Sequence, residues 1–114
     1  MLAVGEHLWG QVDGQTRRMT TALGGGVGGT QQELCGAVSG GALILGALYG
    51  RASVDEEDTE CYRRVSLYRD RFLERFGTTR CFDLREGGYG SEGQWPCSAL
   101  VEQAARILWQ VLSE

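Results

Sequence analysis

Apolar positions recur at helical spacing along most of the chain, and no run alternates apolar and polar residues as a half-buried strand would. Leu2, Val4, Leu8, Trp9 and Val12 cluster near one face of a first helix over Leu2 to Val12, which Asp13-Gly14 interrupts. Gln15 to Leu23 reads as a short second helix that turns Met19 and Leu23 inward, and Gly24 to Gly29 predicts a loop. Thr30 and Glu33 then have the spacing of a capping box, in which the Thr hydroxyl accepts from the backbone N–H three residues on. A third helix is therefore predicted from near Gln31 to Tyr49, with Gly50 as its stop. Its pairs Gly36 with Gly40 and Gly46 with Gly50, four residues apart, suit close approach of neighbouring backbones.

Ser53 and Glu56 form a second capping box at the head of an acidic run, Asp55 to Asp58, and negative charge suits the positive end of a helix dipole. The fourth helix carries an inward stripe of Cys61, Val65, Tyr68, Phe72 and Phe76 and ends at Gly77, a left-handed cap. Thr78 to Leu84 predicts one further helical turn capped by Thr78, and Glu86 to Trp95, with four Gly and no period, predicts a functional or mobile loop. Pro96 at a first helical position opens the last helix, Cys97 to Leu112, with Leu100, Val101, Ala104, Ile107, Leu108 and Val111 inward. The expected fold is all-α: a compact bundle of about five helices around a central Gly/Ala-rich apolar helix. It forms one domain over residues 1–114, and the abrupt start suggests that an upstream part of the first helix is missing.

Composition narrows the function. The 114 residues suffice for one core without disulfide staples, since a chain of this size buries roughly two-thirds of its unfolded surface. The net charge of −4 and the lack of any basic cluster larger than Arg17-Arg18 or Arg63-Arg64 argue against nucleic acid as a partner. The uncharged stretch Leu34 to Gly50 is seventeen residues long, short of the ~20 that cross a bilayer, so it is expected in a core and not inserted in a membrane. Without a basic leader at Met1 the expected location is the cytoplasm.

The four cysteines, Cys35, Cys61, Cys81 and Cys97, lie at least sixteen positions apart, so no Cys-x-x-Cys chelate or redox pair exists. Three of them share a setting: Cys35, Cys81 and Cys97 each fall near the start of a predicted helix. Unpaired N–H groups there stabilise a thiolate and raise its reactive fraction. Cys61, on the apolar stripe, reads as a small buried hydrophobe. The run Gly24-Gly25-Gly26-Val27-Gly28-Gly29 fits G-x-G-x-x-G, which makes Gly24, Gly25, Gly26 and Gly28 candidate cofactor-binding positions. No strand precedes it, and a plain loop permitting close backbone approach is the competing reading. His7, the only histidine, reads as a surface helix residue in preference to a ligand, and Trp9, Trp95 and Trp109 read as core or interface residues.

The series Gly24 to Gly28, Cys35-Gly36-Ala37-Val38-Ser39-Gly40, Leu45 to Arg51, Phe72-x-x-x-Phe76-Gly77, Cys81 and Cys97-x-x-Leu-Val resembles the C_GCAxxG_C_C family of small redox-active proteins. The resemblance implies redox or metal chemistry and places Cys35, Cys81 and Cys97 on the family's cysteine-bearing segments. Two departures stand out. The family has a cysteine before the glycine run and this chain has none there, and Cys35-Gly36-Ala37 reverses the Gly-Cys-Ala order.

Three readings follow. In the first, Cys35, Cys81 and Cys97 converge near the glycine loop as catalytic thiols, Cys97 attacking and Cys35 serving as the buried partner, with an unidentified redox partner. In the second, the same three thiols are metal ligands, for an iron–sulfur cluster or another metal ion, and a fourth ligand comes from elsewhere. In the third, the chain is a helical interaction module, a homodimer for example, with structural cysteines. Whether it is an enzyme is left open at this point.

Overall fold

The structure, a computed structural model, describes residues 2–90 and 93–114. Its helices are α1 (Leu2–Trp9), α2 (Gly14–Thr21), α3 (Gly36–Tyr49), α4 (Thr59–Phe76), α5 (Cys81–Glu86) and α6 (Cys97–Leu112). The all-α expectation holds, with six helices in place of about five because the turn after Gly77 is a short helix of its own. Among the described residues no helix is long and apolar enough to cross a membrane.

α3, α4 and α6 pack on one another. The α4 stripe is as read: Cys61, Tyr68 and Phe72 are buried, and Val65 and Phe76 are half-buried. Gly77 ends α4 at φ 80°, its N–H closing on the Leu73 carbonyl. Two apolar clusters result. One joins Val4, Ile44, Leu45, Tyr68, Leu108 and Val111; the other joins Val38, Phe72, Leu84, Leu100 and Ala104. Full burial of Phe72, Ile44, Leu45 and Val111 contributes roughly 1.5–3 kcal/mol each before chain entropy is set against it. Arg64 fastens the three helices at one end, donating to the Val111 carbonyl at 3.0 Å with its guanidinium 4.3 Å from the centre of the Tyr49 ring.

Several expectations are corrected. Neither capping box forms. Thr30 Oγ1 donates back to the Gly26 and Val27 carbonyls, Gln31 adopts φ 63°, and α3 begins only at Gly36 with Cys35 as its cap. Residues 31–35 are diverted because their backbone groups pair with the glycine loop and with residues 79–82. At Ser53 the chain makes a turn, Glu56 N–H to Ser53 C=O, and α4 starts at Thr59. α5 begins at Cys81 after Arg80, while Thr78 bonds Asp83 and the Arg80 N–H. Met19 is 64% exposed because α2 is polar all round and only Leu23 beyond it reaches inward. Val101 points outward at 47% exposure, and Leu43 and Leu48 leave one side of α3 open. Trp9, Trp95 and Trp109 are exposed, with His7 edge-on to Trp109 at 5.0 Å between ring centres.

A tight helix approach is made at Gly41, and of the four-spaced glycines Gly36 faces a neighbouring backbone, where a Cβ would meet the Gly24 Cα and the Leu23 carbonyl oxygen at 3.6 Å. A Cβ at Gly41 would lie 2.4 Å from the Tyr68 ring, whose hydroxyl donates to the Ala37 carbonyl at 2.8 Å, whereas a Cβ at Gly46 meets nothing within 4 Å. Gly41→Ala is therefore expected to cost about 1–3 kcal/mol by overpacking. Gly46→Ala should gain about 0.5–1 kcal/mol from helix propensity. Urea unfolding of both variants checks this: opposite shifts of the midpoint at constant slope support the account, and equal shifts refute it.

Candidate functional site

A short antiparallel bridge between Leu34 and Arg80 is the frame of the site. The Cys35 N–H donates to the Thr79 carbonyl at 2.8 Å, and the Cys81 N–H donates to the Glu33 carbonyl at 3.0 Å. These are the two bonds flanking a closely spaced antiparallel pair. Arg80 reinforces them, with Nε on the Gln32 carbonyl at 3.1 Å and Nη2 on the Gln32 side-chain oxygen at 2.8 Å. Two cysteines 46 positions apart in sequence are thereby fixed side by side at the starts of α3 and α5.

The glycine loop packs against this frame from outside. Gly25, Gly26, Val27, Gly28 and Gly29 all have φ between 59° and 74°, a left-handed turn that costs an L-residue about 1–2 kcal/mol and glycine almost nothing. Gly26 fits directly on Cys81: a Cβ there would lie 2.7 Å from the Cys81 Cβ and from the Gln31 Cα. The N–H groups of Gly24, Gly28 and Gly29 are spent on the carbonyls of Thr21, Ala22 and Gly24. Of the four glycines proposed to hold a cofactor, only Gly25 lines a cavity near the thiols.

α6 completes the site. Pro96 precedes Cys97, the first residue of α6, and Cys97, Leu100 and Val101 follow one another at helical spacing along the rim of a cleft. On α5, Cys81, Leu84 and Arg85 repeat the same spacing from the opposite wall. The cleft encloses about 230 Å³, and its walls also include Cys35, Ala37 and Tyr89. Its floor is the second apolar cluster, which holds Leu84 and Leu100 with Cys35, Ala37 and Tyr89 packed against it. Tyr89 is set by an aromatic relay, with Phe76 at 5.9 Å on one side and Trp95 at 5.4 Å on the other.

Cys35, Cys81 and Cys97 thus share one cleft, each at a helix start, and all are free thiols. Cys81 is buried, Cys35 is half-buried and Cys97 is exposed, so the most buried of the three is Cys81 and not Cys35. Cys61 is buried on α4 and does not line the cleft. The Cys35 sulfur caps α3, accepting from the Ala37 N–H at 3.4 Å. Burial nevertheless pushes its thiol above the ordinary range; the Ala37 and Val38 N–H groups offset part of this, and Cys81 and Cys97 add to it. Desolvation therefore outweighs the helix start, contrary to the lowered value expected from position alone. Burial likewise raises the Tyr68 phenol above its usual range, with Cys35 adding to the effect.

Among the described residues no group of three Cys, His, Asp or Glu side chains is placed to hold a metal ion. As placed, the three thiols do not fit a closed four-coordinate site. Arg85, Tyr89, Leu84 and Val101 were not singled out from the sequence as site residues. Arg85 had a readable signal, since it follows Cys81 by four positions on one helix face.

Residues 1–111 match the family described as "Putative redox-active protein (C_GCAxxG_C_C)". The chain belongs to that family. A search of curated proteins and a search of solved structures each found no match.

The thiols should differ in reactivity. With iodoacetamide at pH 7, Cys97 is expected to alkylate first and Cys61 and Cys81 to lag through burial. The Cys35 rate should keep rising about tenfold per pH unit above pH ~8.5, where a small reference thiol levels off. Peptide mass spectrometry after timed quenching reads this, and a Cys35 profile that levels off with the reference contradicts the raised thiol value.

Proposed function

We propose that the protein is a thiol–disulfide exchange module in which Cys97 is the attacking thiol and Cys35 or Cys81 the resolving one. The observation that carries this reading is the convergence of three thiols, graded from exposed to buried, on one cleft. The exposed sulfur meets a substrate disulfide first, and the shielded sulfurs can only receive what Cys97 brings. In the forward half-reaction the Cys97 thiolate attacks one sulfur of R–S–S–R, forming Cys97–S–S–R and expelling RS⁻, which takes a proton from solvent. A second cysteine, deprotonated to solvent, attacks the Cys97 sulfur and expels the second RS⁻. The substrate gains two electrons and becomes two thiols; the protein loses two electrons and gains one disulfide.

A helical interaction module is the second reading, favoured by the exposed Trp9, Trp109 and Leu2 on α1 and α6. It expects association between copies and thiols that do not exchange.

Reduced protein mixed with hydroxyethyl disulfide is expected to yield a bridge joining Cys97 to Cys35 or Cys81, read by peptide mapping. Cys97→Ser should slow thiol loss at least about tenfold, and Cys61→Ser should leave it unchanged. Wild-type rates in Cys97→Ser, or a bridge through Cys61, would refute the assignment.

A further inference from the structure

The thiol cleft contains one group that the exchange chemistry leaves unexplained. Arg85 lines the cleft, and its Nε is fully buried without a hydrogen-bond partner among the described residues. A buried donor on a permanent cation is costly to leave unmade. The fold nonetheless makes room for it. Gly90, at φ 112°, lies against the guanidinium so closely that a Cβ there would meet Nη1 at 2.9 Å and Cζ at 3.3 Å. Gly90 is itself pinned by its N–H to the Trp95 carbonyl at 2.8 Å. Among the described residues the remaining walls are glycine, alanine, leucine, valine, tyrosine and the three thiols, so Arg85 is the one cationic side chain among them. At about 230 Å³ the cleft is smaller than the ~300–1,000 Å³ typical of drug-sized ligands. It therefore suits a small molecule with an apolar body and one anionic end.

We propose that the cleft takes a small organic disulfide bearing a carboxylate, with Arg85 as the residue that selects it. The inference rests on the exchange reading above and names its substrate class. A guanidinium carries parallel N–H donors that match a carboxylate, and turning Arg85 into the cleft would give its buried Nε the partner it lacks. Anchoring that end at Arg85 lays the sulfur pair toward the thiols lining the same cleft. The exchange then runs as already balanced: Cys97–S–S–R forms, one carboxylated thiol leaves, and the second thiol leaves as the internal disulfide closes.

The test uses three small disulfides of similar length and different charge: dithiodiglycolate (anionic), hydroxyethyl disulfide (neutral) and cystamine (cationic). Second-order rates of thiol loss are measured for the full-length reduced protein and for Arg85→Gln and Arg85→Lys at low salt. Arg85→Gln is expected to slow dithiodiglycolate about tenfold more than it slows hydroxyethyl disulfide, the scale of a lost charge-assisted hydrogen bond. Arg85→Lys should recover part of the loss, and cystamine should speed up in Arg85→Gln. The neutral probe doubles as the control for folding. Equal slowing of all three probes, or no slowing of any, overturns the role of Arg85 while leaving exchange standing. No reaction of wild-type protein with any of the three overturns the exchange reading and this inference together.

Discussion

Two backbone hydrogen bonds, from Cys35 to Thr79 and from Cys81 to Glu33, hold the site together. They join segments 46 positions apart, with the Arg80 contacts beside them, while Val38 of α3 and Leu84 of α5 meet beneath in the second apolar cluster. The bridge also explains where α3 begins. Residues 31–35 cannot enter the helix while their N–H and C=O groups pair across to residues 79–82. Cys35 consequently becomes the cap, and its sulfur takes a place where a Ser or Thr oxygen ordinarily sits. The helix loses a strong oxygen acceptor at that position and gains a thiol beside a second one.

The chemistry of that thiol is decided by two opposed effects. The start of α3 offers N–H groups that favour a thiolate, and the apolar floor beneath Cys35 disfavours any charge; burial wins and the thiol is raised. Charge at Cys81 or Cys97 also discourages charge at Cys35. Access differs as well, since Cys97 is exposed, Cys35 half-buried and Cys81 buried. On the exchange reading proposed above, that favours the exposed sulfur of Cys97 as the first to act and shields the other two until an attack has taken place.

The parts of the fold legible in the sequence are those set by local pattern. The Cys61–Phe76 stripe, the stop at Gly77 and the start of α6 after Pro96 depend on residues within one or two turns of each other. The capping box at Thr30 was a sound local signal that a distant pairing overruled, and residues 31–35 form an edge instead of a helical turn. Met19 and Val101 failed for another reason: helical periodicity locates a face but not what covers it. The placement of three cysteines at helix starts was readable, and their meeting in one cleft was not, since it depends on the bridge between residues far apart in sequence. Arg85 lies between these cases, its spacing from Cys81 visible and its burial not.

The excess of glycine has a structural origin at the site. Gly25 to Gly29 form a left-handed turn whose single non-glycine, Val27, bears the cost of that conformation. Gly26 lets the turn press on Cys81, Gly41 lets Tyr68 lie flat on α3, and Gly90 leaves space for the Arg85 guanidinium. Gly26 and Gly90 remove a Cβ beside Cys81 and Arg85 on the walls of the cleft, and Gly41 removes one beside Tyr68 in the first apolar cluster. A glycine run before a helix matches a phosphate-binding fingerprint, and that chemistry needs free N–H groups pointing at the ligand. Gly24, Gly28 and Gly29 spend theirs on the Thr21, Ala22 and Gly24 carbonyls, and Gly26 packs on Cys81, so the run also serves as a buttress for the thiols. The left-handed turn and the Leu34–Arg80 bridge are thus two halves of one device: one orders the segment before Cys35, and the other docks it beside Cys81.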